Sequence, residues 1–154
     1  MIKEERGKGW MTGMRGVYVV AAELAKRGLV VSPTSRSARG ADLLVTDQKC
    51  VNAWSVQVKT NRKPSGSWLL NKDAADFNSD SHVYVFVNLK ANDQRPEFFI
   101  VPSSVVACKM QHVNRPNSIW YFFSKADAAS YRDVWDCFEL SGNSTRSSKT
   151  SRLP

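Results

Sequence analysis

Histidine and cysteine are scarce in this chain, and their scarcity excludes several kinds of chemistry at the outset. Two histidines and three cysteines occur among 154 residues, and no C-x-x-C spacing exists, so neither a zinc site nor a disulfide framework is expected. Cys50, Cys108 and Cys137 read as reduced, buried small hydrophobes. His82 opens an apolar segment and His112 sits in a polar one; neither has a serine or cysteine partner in a recognisable motif, and both read as structural. No apolar run approaches the ~18 residues of a membrane span. The charged start, Met1 to Arg6, leads into no signal-peptide core. A soluble cytoplasmic protein without a membrane partner is expected. Acidic residues are few as well: 14 Asp and Glu against 22 Lys and Arg give a net charge of +8. Such a surface concentrates polyanions, which makes nucleic acid the first partner to consider.

What is present is an ordinary globular mixture, 42% hydrophobic and 23% charged, of a length that suits one domain. A first helix is expected over Met11–Arg27, where Val17, Val20, Ala21 and Leu24 fall on one face and Gly28 ends the run. A short strand at Leu29–Val31 precedes a small, polar, basic loop, Pro33–Gly40. Strands follow at Ala41–Thr46 and Ala53–Thr60, joined by a turn at Asp47–Asn52. The second alternates, with Trp54, Val56 and Val58 on one face and Ser55, Gln57 and Lys59 on the other. Asn61–Asp80 reads as a long polar connection of the kind that tends to be functional. Trp68 within it is favoured as core over a base-stacking residue. His82–Leu89 reads as a buried central strand, Glu97–Val101 as another, Pro102–Met110 as a short helix and Ile119–Phe123 as a last strand. Ser124 is placed as the cap of a final helix reaching Leu140, with Ala128, Tyr131, Trp135 and Phe138 as its apolar stripe. A domain over residues 1–140 and a flexible basic Ser/Thr-rich tail over 141–154 are expected. The class is α/β (α+β), a central mixed β-sheet flanked by helices.

Chemistry concentrates at Asp42 and the triplet Gln57-Val58-Lys59. Gln57 and Lys59 leave one face of a strand about 6.6 Å apart, and a hairpin through Asp47–Asn52 brings Asp42 alongside. A carboxylate, an amide oxygen, the Val58 carbonyl and an ammonium then converge, as Mg²⁺-assisted work on a phosphate requires.

The glycine-bearing helix (Gly16, then Ala21-Ala22-Glu23-Leu24), the Gly-x-Asp-Leu-Leu strand and the Q-x-K strand followed by Thr60 together resemble the PD-(D/E)XK nuclease superfamily. The Q-x-K form is similar to Mrr-type restriction endonucleases. The likeness spans roughly residues 13–140 and includes Phe98-Phe99-Ile100-Val101-Pro102-Ser103, similar to small bacterial proteins of the superfamily. It implies a restriction endonuclease-like fold and a catalytic set of Asp42, Gln57 and Lys59. It also implies Mg²⁺, with Mn²⁺ as an alternative, held by Asp42, Gln57 and Val58. The superfamily commonly adds a glutamate just after the helix glycine; Val17 stands there in this chain. Arg36, Arg39, Thr60, Arg62 and Lys63 flank the centre as expected nucleic-acid contacts of the sequence-independent kind.

Three functions follow as expectations: a metal-dependent endonuclease on DNA, duplex first; a nuclease-fold DNA-binding protein without turnover; and a protein-interaction module on the same fold. Cutting both strands would call for a homodimer or higher assembly.

Overall fold

A computed structural model describes residues 2–35 and 39–139, with side chains from residue 9 onward. Arg36 and the 141–154 tail lie outside the described residues. Helix α1 runs Ile2–Lys26 and starts earlier than its apolar stripe predicts. The strands are β1 Val30–Pro33, β2 Leu43–Thr46, β3 Ala53–Asn61, β4 Ser67–Leu70, β5 His82–Asn88, β6 Glu97–Pro102, β7 Gln111–Arg115 and β8 Ser118–Ser124. Helices α2 (Ser103–Lys109) and α3 (Lys125–Ala128) complete the set, with 3₁₀ turns at Lys72–Ala75, Ala129–Tyr131 and Asp136–Phe138. No described helix is long and apolar enough to cross a membrane.

Five strands form a mixed sheet in the order β1-β2-β3-β5-β6. Only the β3–β5 pairing is parallel, and it sets Gln57 beside Tyr84 and Lys59 beside Phe86. All seven β5 residues are buried, as expected of a strand covered on both faces. Helix α1 covers one face through Val20 and Leu24, packed with Leu43, Val45, Val56, Val58, Val85 and Phe98. Along β3 the same alternation that buries Val56 and Val58 under α1 turns Gln57 and Lys59 to the opposite face. There a second core forms from Trp68, Leu70, Phe86, Phe99, Val106 and Phe123.

Three expectations are corrected. The Asn61–Asp80 connection is not all loop: Trp68 and Leu70 alternate inward on β4, which joins β8 and β7 in a three-stranded antiparallel sheet. Trp68 is 1% exposed and donates Nε1–H to the Val87 carbonyl, a core role. The final helix is also shorter than expected. Ser124 caps it by accepting from Asp127 N, but the helix ends after four residues. Arg132 then bridges to Phe99 on the β6 edge, and Asp133, at φ 54°, donates its N–H to the Phe98 carbonyl. The expected apolar stripe is therefore divided: Ala128 and Tyr131 pack in the second core, Trp135 and Phe138 in the first. Finally, all three cysteines are exposed rather than buried.

Two local devices set the site's frame. At Gly16, α1 crosses β3 so closely that a Cβ would lie 1.7 Å from Thr60 Oγ1. At the β2–β3 turn, Asp47 accepts from the backbone N–H groups of Lys49, Val51 and Asn52 and from Asn52 Nδ2. Those bonds hold the Asp47 carboxyl below its ordinary value, the Asn52 N–H contributing most. A depressed carboxylate lends stability that is present above its ordinary pKa and is lost as pH falls through the depressed value. Asp47→Ala is expected to lower Tm at neutral pH and to reduce the loss of stability on acidification, both read from thermal melts over a pH series.

Candidate active site

Asp42 is the last residue before β2, and its backbone is held on both sides. Its N–H donates to the Val56 carbonyl (2.8 Å), and its carbonyl accepts from Thr34 N (2.9 Å). Gly40, at φ 79°, turns the chain into this position. A Cβ there would meet the Phe77 ring at 2.6 Å, so the residue before Ala41 is glycine for reasons of both space and backbone conformation. With its backbone fixed, the Asp42 side chain reaches β3. Oδ2 accepts from Gln57 Nε2 (2.5 Å) and from Val58 N (2.8 Å). The hairpin thus brings together Asp42, Gln57, Val58 and Lys59, the four residues named from spacing.

The Val58 carbonyl follows from strand geometry. Ser55 N bonds toward β5 and Val56 O toward Asp42, so Val58, even-numbered like Val56, points both its N–H and its C=O to the Asp42 side. The β2–β3 register ends at Leu43 and Val56, which leaves the Val58 carbonyl beside Asp42 rather than in the ladder.

Burial raises the Asp42 pKa above its ordinary value, opposed by the Val58 N–H and by the charge of Lys59. Burial also lowers Lys59, opposed by the charge of Asp42. The two attract through space, yet they are not among the direct ion pairs of the described residues. Both side chains are thus partly stripped of water, and neither joins an ion pair among the described residues.

The donor set fits a hard divalent cation: one carboxylate, one backbone carbonyl and one amide oxygen, with no thiolate or imidazole. Gln57 presents its nitrogen to Asp42, so offering oxygen to a shared cation takes a half-turn of the amide. Among the described residues no group of three or more His, Cys, Asp or Glu side chains converges. Val17, at the position where the resemblance implies a helix glutamate, lines the α1-side cavity together with Asp42, Gln57, Val58 and Lys59.

The expected nucleic-acid contacts divide. Arg39 is exposed and lines a cavity with Asp42, Gln57 and Lys59. Arg62 and Lys63 are exposed in the turn after β3. That turn is anchored by Asn61 Nδ2 to Ser67 O (2.9 Å) and to the buried Asn88 Oδ1 (3.0 Å). None of these three cations joins an ion pair among the described residues. Thr60 differs: its hydroxyl is buried where α1 crosses at Gly16, not offered to solvent with Arg62 and Lys63.

Sequence spacing did not reveal Asp73, Phe77 and Tyr84, which share the Arg39 cavity. Tyr84 could have been inferred from a parallel β3–β5 register; Asp73 and Phe77 carried no signal beyond their place in a long connection. Nor did spacing reveal the partner of His82, whose Nδ1 lies 2.7 Å from Ser55 Oγ in a 5% exposed position.

This order of strands, with α1 on one face and an acid–amide–lysine edge on the other, is that of a restriction endonuclease-like α/β fold. A solved bacterial homing endonuclease is similar over 80% of this chain and 86% of its own, at 16% identity and a TM-score of 0.51. A Holliday junction resolvase, Hjc of Archaeoglobus fulgidus, aligns over 77% of this chain and 93% of its own, at 13% identity and a TM-score of 0.48. The sequence matches no protein-family model and no curated protein.

Proposed function

We propose that the protein is a divalent-metal-dependent DNA endonuclease of the Q-x-K, Mrr-like kind. The observation that carries the reading is the joint hold of Gln57 and Val58 N on Asp42 Oδ2, with Lys59 next on the same strand. Asp42, the Val58 carbonyl and Gln57 would hold Mg²⁺ or Mn²⁺. When bound, the cation supplies Lewis acidity toward a phosphoryl oxygen and acidifies a water. Lys59 orients the attacking water and meets the charge that grows on the phosphoryl oxygens. Arg39, Arg62 and Lys63 hold flanking phosphates without reading sequence. Two such sites in a homodimer would serve to cut both strands.

The test is incubation of wild type and Asp42→Ala with single- and double-stranded DNA in Mg²⁺, Mn²⁺ or EDTA. Metal-dependent cutting by wild type, with a loss of at least ~100-fold in Asp42→Ala, is expected. Cutting that survives EDTA or the substitution would sink the proposal. Val17 favours a second reading, DNA binding without turnover, because the cavity wall carries no helix carboxylate at that position. It predicts salt-dependent binding and no product in either metal.

The titration of the metal-free protein gives an independent check. Burial raises Asp42, so without metal its carboxyl should titrate above the ordinary aspartate value of 3.8. Burial lowers Lys59, so its amine should titrate below 10.5. NMR titration of both side chains in EDTA reads the two midpoints. A Lys59 midpoint at or above 10.5 would mean that its amine is not desolvated beside Asp42.

A further inference from the structure

The cavity on the β5 side of the active site has contents that phosphate chemistry does not use. Its volume is about 400 Å³, and it shares Asp42, Gln57 and Lys59 with the centre. Phe77 supplies an aromatic wall, and the ring approaches Gly40 so closely that any side chain there would displace it. Tyr84, a phenol on a 2% exposed residue of β5, is part of the lining. Burial first, then the charge of Asp73, pushes that phenol up to about 12. Asp73 and Asn71 line the same cavity from the turn after β4, and Arg39 stands at the same wall as Gly40.

The carboxyl group of the exposed Asp73 disfavours phosphate on that wall, so the phosphodiester stays with Lys59 and Arg39. What suits the cavity is a flat, uncharged group that stacks on Phe77, gives protons to Asp73 and accepts one from Tyr84 or Asn71. Among the DNA bases guanine has this pattern: two neighbouring donors, N1–H and the 2-amino group, beside the O6 acceptor. A carboxylate accepts two parallel N–H bonds and a phenol donates one. Extruded bases are read in this way, on their Watson–Crick edge and between aromatic groups.

We propose that this cavity is a pocket for one unpaired guanine next to the scissile phosphate, so that the substrate is DNA with an extruded or unpaired base. The proposal rests on the nuclease reading for the placement of the phosphate, but its test separates the two. Fluorescence anisotropy in EDTA would compare duplexes carrying a one-base bulge of guanine, inosine, adenine, cytosine or thymine. Bulged guanine is expected to bind tightest. Inosine lacks the 2-amino group and should bind about tenfold more weakly. Asp73→Asn, at an exposed position that leaves the cores intact, should remove the difference between guanine and inosine, and Tyr84→Phe should weaken guanine. Equal affinities for all bulges, or an unchanged guanine–inosine ratio in Asp73→Asn, would overturn the pocket. Repeating the series as cleavage in Mg²⁺ tells the readings apart. Base preference in binding with no product removes the nuclease and keeps the pocket. Equal cutting of every bulge with no binding preference keeps the nuclease and removes the pocket.

Discussion

Lys59→Met is expected to abolish cleavage while making the protein more stable. Methionine keeps the length and bulk of the side chain but carries no charge. The loss of transition-state stabilisation should lower the cleavage rate by about 10²–10³, the usual effect of removing a preorganised electrostatic contact. Stability should move the other way. Burial lowers the Lys59 pKa more than Asp42 restores it, so the ionised amine costs free energy in the folded state at neutral pH. The sign follows from linkage: a lysine depressed in the fold makes the protein more stable as pH rises from the depressed value toward the ordinary 10.5. Methionine removes the cost and should flatten that rise. A Tm that increases at neutral pH, together with a dead enzyme, is the expected pair of results. A Tm that falls would mean that Lys59 serves the fold, and would take away the reason to regard its position as functional.

The largest stability effect is expected at Gly16. An alanine Cβ would lie 1.7 Å from Thr60 Oγ1, 2.7 Å from its Cβ and 2.9 Å from Cγ2, all well inside contact distance. Helix propensity alone favours alanine over glycine by about 1 kcal/mol. The clash opposes it and should win, with a net destabilisation above about 3 kcal/mol, beyond ordinary overpacking because β3 is pinned between β2 and β5. Gly13→Ala is the control: nothing lies within 4 Å of its Cβ, so propensity should prevail and stability should rise. Adding Thr60→Ala to Gly16→Ala removes the 1.7 Å and 2.9 Å contacts and should recover part of the loss. Chemical denaturation of wild type, Gly16→Ala, Thr60→Ala and the double variant forms a double-mutant cycle, with Gly13→Ala as the control. Equal behaviour at positions 13 and 16 would mean that α1 does not rest on Thr60.

The contrast between these glycines shows what sequence could and could not reveal. The alternation of Trp54 to Lys59 was legible because a strand has one period and two faces, and it placed Gln57 and Lys59 together before any fold was known. The short link Asp47–Asn52 was legible for the same local reason and delivered Asp42 to the same edge. The crossing of Gly16 over Thr60 was not, since it depends on how a helix sits on a sheet that forms from distant segments. Asp73 and Tyr84 reach the site through the parallel β3–β5 pairing and the turn after β4, both long-range events without a local signature. The split of the final helix failed for a related reason. Ala128, Tyr131, Trp135 and Phe138 do have helical spacing, but the exposed edge of β6 offered backbone partners to Arg132 and Asp133, and tertiary hydrogen bonding overrode propensity.

That split has a mechanical meaning for the whole molecule. The segment from Ala128 to Phe138 passes around the β6 edge like a strap, buried at one end in one core and at the other end in the second. Arg95 fastens it with a two-point grip on Asp133, and Arg27 of the α1 end lies over the Trp135 ring. Neither core can open without pulling on the other, so the two layers should melt in one cooperative step rather than in sequence. Because the Gln57–Lys59 edge of β3 lies between those layers, its geometry is held as long as the strap is fastened.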